Sequence, residues 1–289
     1  MEPPPLIGIP RITCDELDEL SYAKSLLEHP GLTARLANLI GSPIEKGFDL
    51  LPRGWSATVQ KATGAALLKA LQLAVVTMGT RNRRKSSEFL HKVLVGASGG
   101  IGGVFGLAAL PIELPISTTL MLRSIADIAR SEGHDIGTLS IKLACLEVFA
   151  LGGRAASDNA AESSYWAVRA ALAKTISEAA TYLAERGVIE KSAPAILRLI
   201  TSLSSRFGVI VSEQVAAKAV PVVGAAGGSV INILFINHFQ DMARGHFIVK
   251  KLEARWGIET VRSLYQTAGY GSTRGRGSAS GRGAPARRS

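Results

Sequence analysis

Cysteine is almost missing from this chain: Cys14 and Cys145 stand far apart, with neither CxxC spacing nor a histidine cluster beside them. That excludes a disulfide framework and a cysteine-based zinc centre, and it fits a reducing compartment. Aromatic residues are scarce too, at 6% of the chain, while alanine and glycine abound, which argues against a β-sandwich and for closely packed helices. The first ten residues hold Glu2 and four prolines where a secretory signal would place basic and then apolar residues, so no signal is expected there. What remains is 289 residues with 47% hydrophobic and 19% charged content, enough to bury a large core in one domain or two small ones.

Acidic residues are also absent from the C-terminal tail, which carries Arg274, Arg276, Arg282, Arg287 and Arg288 among glycine and serine. A second basic run is Arg81, Arg83, Arg84 and Lys85; without these nine positives the net charge falls from +10 to +1. A broad basic face for nucleic acid is thereby excluded, and the basicity is local. Both clusters could meet anionic lipid headgroups, at about 1 kcal/mol per basic residue near the surface. RNA is the other reading, through the tail alone, although Tyr270 is its one neighbouring aromatic for stacking; a merely solvated loop and tail is the third.

The pattern predicts a multi-helix bundle. Thr13 followed by Glu16 is a reciprocal cap that opens a helix running to about residue 29. Residues 31–51 are amphipathic with a break expected at Pro43, and residues 54–78 continue as helix. The pair Pro111 and Pro115 is expected to interrupt the chain before a helix over 117–130, after which Asp135 caps the next, running to about residue 151. Helices follow over 158–186 and 192–220, and a last one near 257–267. Residues 1–12 form a proline-rich segment, 13–268 the helical domain, and 269–289 a tail too polar and glycine-rich to bury a core.

Two stretches have no formal charge over twenty residues: 93–112, with Gly96, Gly99, Gly100, Gly102, Gly103 and Gly106, and 219–238. Six glycines inside a helix cost about 5 to 6 kcal/mol relative to alanine, so close backbone packing or a turn must offset them. Both stretches are expected to be helical segments packed centrally in the bundle, and each is long enough to cross a bilayer core of about 30 Å. Nine strongly apolar residues apiece supply only about 3 to 5 kcal/mol of insertion energy, so spanning, reversible membrane association and a buried soluble hairpin all stand at this point. Val223-Gly224-Ala225-Ala226-Gly227-Gly228 echoes Val95-Gly96-Ala97-Ser98-Gly99-Gly100, and Asp241-Met242-Ala243-Arg244 echoes Asp127-Ile128-Ala129-Arg130, either as a degenerate two-fold arrangement or by chance.

Candidate chemistry is thin. Gly96-Ala97-Ser98-Gly99-Gly100 has the G-x-S-x-G form of a nucleophile elbow, but helix precedes it and no β/α alternation surrounds it, so tight packing is the better account of its small residues. His238 and Asp241 share a helical face, and with His246 they could hold a metal, but His246 lies two turns away; no metal and no cofactor is expected. Glu113, Arg123, Asp127, Arg130, Asp241 and Arg244 are charges within apolar sequence, read as an ion-paired core cluster or, with His246, as a polar pocket.

The combination of Gly96-Ala97-Ser98-Gly99-Gly100, Leu110-Pro111-Ile112-Glu113-Leu114-Pro115-Ile116 and Leu122-Arg123-Ser124-Ile125-Ala126-Asp127-Ile128-Ala129-Arg130 resembles the EcsC protein family. So does Val220-Pro221-Val222-Val223-Gly224-Ala225 followed by Asn232 and Asp241-Met242-Ala243-Arg244-Gly245-His246-Phe247, and the likeness covers about residues 15–268. The resemblance implies a bacterial protein of a family named for a gene beside an ABC transporter, with no biochemical role established and no site residue to carry over. Association with a transporter is implied by that neighbourhood alone. The expectation is a non-enzymatic, membrane-associated accessory protein, cytoplasmic and peripheral at the inner face of the cell membrane. Arg81, Arg83, Arg84 and Lys85 would be its contacts to an anionic surface. The alternatives are a hydrolase or other pocket enzyme using Ser98 or Glu113, Asp127, Asp241 and His246, and a soluble scaffold or nucleic-acid-associated factor acting through its tail.

Overall fold

A computed structural model of the protein describes residues 12–28, 32–41, 43–77, 106–152, 164–187, 189–220 and 224–268. Among them are ten α-helices and no strand, which is the expected all-α class. In chain order they are α1 (Cys14–Glu28), α2 (Leu32–Ile40), α3 (Glu45–Asp49), α4 (Trp55–Thr77), α5 (Gly106–Ser131), α6 (Leu139–Glu147), α7 (Ser164–Arg186), α8 (Pro194–Ala219), α9 (Gly224–Trp256) and α10 (Ile258–Thr267). A 3-10 turn, Val148–Ala150, extends α6.

The cap read from Thr13 and Glu16 opens α1. The Thr13 N–H donates to Glu16 Oε2 at 2.9 Å, and the Glu16 N–H donates back to Thr13 Oγ1 at 3.3 Å. Glu16 does more than cap: its other oxygen accepts from Trp256 Nε1 at 3.1 Å and pairs with Arg255 at 2.8 Å, tying the start of α1 to the end of α9. The Thr13 N–H above all, with the Trp256 and Arg255 contacts, holds this carboxyl below its ordinary 4.5. The two helices run antiparallel, and Gly245 packs directly against α1. A Cβ there would lie 2.7 Å from Leu27 Cγ and 3.0 Å from the Ala23 carbonyl, so only glycine fits without displacing α1.

Two expectations need correction. Pro111 and Pro115 do not interrupt the chain; α5 runs through both without a break. Pro111 is exposed and Pro115 half-buried, so carbonyls that lose a donor at this surface can turn to water. Asp135 does not cap α6 either. Its Oδ1 accepts the Gly137 N–H at 2.8 Å, forming a turn, and Thr138 occupies the cap position without a side-chain bond.

The core is organised by α8 and α9. Phe149 lies 5.1 Å from Phe207 and 5.5 Å from Phe239, and Phe239 meets Phe207 at 5.6 Å and Phe235 at 5.1 Å, knitting the 3-10 turn to both helices. Burying each phenylalanine supplies about 1.5 to 3 kcal/mol, with tilted ring pairs adding about 0.5 to 1.5. Among the described residues α8 is the one helix long and apolar enough to cross a membrane, with mean hydropathy 1.4 over its best window. It is not one of the two glycine-rich stretches, and Ile196, Leu199, Leu203, Phe207, Ile210 and Val211 bury one side of it inside the bundle. Of the glycine-rich stretches, 93–105 lies outside the described residues, while residues 224–238 form the first half of α9.

Helix direction follows from cross-links. Gln214 on α8 donates to Asn232 on α9 at 3.0 Å, so these consecutive helices are antiparallel. Gln240 on α9 donates to Ser124 on α5 at 2.9 Å, and His134, just past α5, bonds the Phe247 carbonyl at 2.8 Å, so α5 and α9 are parallel. The echoing segments Asp127–Arg130 and Asp241–Arg244 thus sit at one height on neighbouring parallel helices. The C-terminus of α8, the first half of α9 and the first turns of α5 all meet at one end of the bundle, where Lys218 pairs with Glu113 at 3.6 Å.

Candidate functional site

The charges singled out in the sequence do not gather in the core. On α5 the buried stripe is Met121, Leu122, Ile125, Ala126, Ile128 and Ala129, which leaves Arg123, Asp127 and Arg130 on the opposite, exposed stripe. Asp127 pairs with Arg130 at 2.6 Å on that surface. Asp241 pairs with Arg35 of α2 at 3.3 Å, Arg244 is exposed, and Glu113 reaches Lys218. His246 alone of this set is buried, at 0% exposure. Arg81, Arg83, Arg84, Lys85 and Ser98 lie outside the described residues.

Around His246 the fold builds a polar centre that the sequence reading missed. Glu147 from the end of α6, Tyr165 and Arg169 from α7, and Glu253 from α9 converge there. Arg169 donates through Nη2 to Glu253 Oε2 at 3.0 Å and through Nη1 to the other carboxylate oxygen, a two-pronged pair. Its Nη1 also reaches the Tyr165 hydroxyl at 3.3 Å, and its Nε stands 4.0 Å from Glu147 Oε1. The guanidinium lies over the Trp166 ring at 4.9 Å. Tyr265 of α10 stacks on Tyr165 at 5.7 Å and closes the centre.

The Tyr165 hydroxyl accepts from Arg169 and shares a hydrogen bond with His246 Nδ1 at 3.1 Å, while His246 Nε2 stands 3.6 Å from Glu147 Oε2. Burial, with Arg169, Lys250 and His134 adding to it, pushes the His246 pKa well below its ordinary value. Burial likewise raises Tyr165 and Glu147, and Arg169 and Lys250 oppose that rise at Glu147 only in part. At Arg169 burial works against the charge, but Tyr165, Glu253 and Glu147 outweigh it.

The raised Glu147 pKa has a sign that can be tested. A carboxyl that binds its proton more tightly in the fold than in the unfolded chain stabilises the fold at low pH and loses that contribution as pH rises through its shifted value. Glu147→Gln is therefore expected to gain stability relative to the parent as pH is raised from below 4.5, measured as the difference in melting temperature. Parallel profiles would contradict the assignment.

A second buried histidine, His238, is driven down to about 4, first by burial and then by Arg35, against a backbone bond from Leu151. Its ring is pressed against Gly152, whose φ is +75°. His238, Asp241 and His246 thus point to three different partners, and among the described residues no group of three or more His, Cys, Asp or Glu could hold a metal.

The arrangement at His246 offers no reacting atom to solvent. Its Tyr165 is made a weaker acid, its histidine is held neutral, and Arg169, the most exposed of the charged side chains, reaches only 14%. What it does is tie α7 to α9 by hydrogen bonds, with Glu147 of α6 at ion-pair distance and Tyr265 of α10 stacked against it. A sequence signal for it existed: Glu147 is a lone charge inside the apolar run 143–151.

Compared with known proteins, the chain matches the sequence profile of the EcsC protein family over residues 15–252. No curated protein and no solved structure matches it.

Proposed function

We infer, since this chain belongs to the EcsC protein family, that it serves as a non-enzymatic accessory protein held at the cytoplasmic face of the membrane. The observation that carries this reading is the convergence of described helices from both charge-free, glycine-rich stretches on one end of the bundle, α5 and α9 starting there side by side. The first turns of both helices lack formal charge, and Ile112 and Ile233 further along them are exposed, as expected of an end that meets lipid more readily than water. The buried centre at His246 supports the non-enzymatic half of the reading, because its histidine, tyrosine and both carboxylates are closed off from solvent.

A polar-pocket enzyme would need Glu113, Asp127, Asp241 and His246 on one open cleft, and these four residues have separate partners. Fractionation of the untagged protein from its native cells tests the proposal. It is expected to stay with membranes through a salt wash and to leave them in alkaline carbonate, as a peripheral apolar attachment would. Recovery in the first soluble fraction would contradict it.

A further inference from the structure

We propose that the end of the bundle formed by α3, the C-terminus of α8 and the first halves of α5 and α9 is a lipid-docking surface that works by apolar insertion and not by charge. The proposal rests on the membrane reading above and names the surface that would carry it. Leu50, Ile112 and Ile233 are 53%, 72% and 52% exposed, with Ile116 and Val230 beside them in the sequence also exposed. Cross-links place these residues at one end. Gly47 of α3 abuts the Ala216 carbonyl, Glu113 of α5 reaches Lys218, and Gln214 bonds Asn232 of α9. The parallel register of α5 and α9 sets Ile112 and Ile116 at the height of Val230 and Ile233.

Two features point to a bilayer as the occupant. Phe48 and Trp55 stack at 5.4 Å beside this end, both half-buried, and the tryptophan is the type of amphipathic aromatic residue that settles at headgroup depth. Lys46, Arg53 and Lys218 are matched in number by Glu45, Asp49 and Glu113, so the surface has no excess positive charge with which to select anionic lipid. A surface of that composition takes zwitterionic and anionic headgroups alike, and salt does not release it.

The test is partitioning of the full chain onto phosphatidylcholine vesicles with and without phosphatidylglycerol, at low and high salt, read by sedimentation and tryptophan emission. The parent is expected to bind both kinds of vesicle with little salt dependence. Ile112→Glu/Ile233→Glu should lower partitioning about tenfold or more, since two isoleucines are no longer withdrawn from water. Both positions are exposed, so the variant should keep its helical signal. Val76→Glu, exposed at the other end of the bundle where the Val75 carbonyl meets Lys142, is expected to bind as the parent does. Undiminished binding by the double variant, or binding to anionic vesicles alone with release by salt, would overturn the docking surface and leave the membrane reading intact. No binding to either vesicle by the folded parent would overturn that reading itself.

Discussion

Replacing Arg169 with methionine is expected to lower the unfolding free energy by about 3 to 5 kcal/mol, because it strands Glu253 in the interior with no opposite charge. Both side chains are nearly closed to solvent, at 14% and 7% exposure, and the two-pronged geometry leaves no water to take over the lost bonds. The loss does not stop at Glu253. Tyr165 also loses the N–H that fixes its hydroxyl toward His246, and Trp166 loses the cation over its ring. Urea denaturation of the parent, Arg169→Met, Glu253→Gln and the double variant measures the coupling, and the double variant should recover part of the loss. A single-variant loss below about 1 kcal/mol, the range of exposed ion pairs, would show that the array does not bind the helices together.

The second large effect is expected at Gly152. With φ at +75°, a side chain there costs about 1 to 2 kcal/mol in backbone conformation alone. A Cβ would also lie 2.4 Å from His238 Cε1 and 2.9 Å from Met242 Sδ, and forcing that atom into a packed site adds about 1 to 3 kcal/mol. Gly152→Ala should thus destabilise by about 2 to 5 kcal/mol in thermal or urea unfolding. In the His238→Ala background the steric part should shrink to the contact with Met242 and the conformational part remain. An alanine variant as stable as the parent would mean that α6 and α9 do not press together at this histidine.

Local rules made much of this fold legible. Thr13 and Glu16 announced the first helix, Pro43 the break between α2 and α3, and heptad-like spacing the long helices, because caps and periodicity act over a few residues. The proline pair misled because a proline's effect depends on what lies outside the helix. Pro111 is exposed and Pro115 half-buried, so this side of the helix lies near solvent, which a one-dimensional pattern does not record. The charges of α5 misled for a related reason. Arg123, Asp127 and Arg130 stand among apolar residues in sequence, yet a 3.6-residue period puts them on the stripe facing water.

The buried centre was missed because its members come from four separated segments, and no spacing rule joins Glu147 to Arg169, His246 and Glu253. Only the lone carboxylate within the apolar run 143–151 hinted at it, as a charge that needs a buried partner. The common end at which α5 and α9 begin was equally hidden, since their parallel arrangement depends on how the two helices pack and not on either sequence alone.

The membrane account stands most directly on co-sedimentation of the intact protein with vesicles containing anionic lipid at physiological salt, with folding and monodispersity checked in the same preparation. The account predicts that the protein pellets with the vesicles; folded, monodisperse protein left in the supernatant would contradict it.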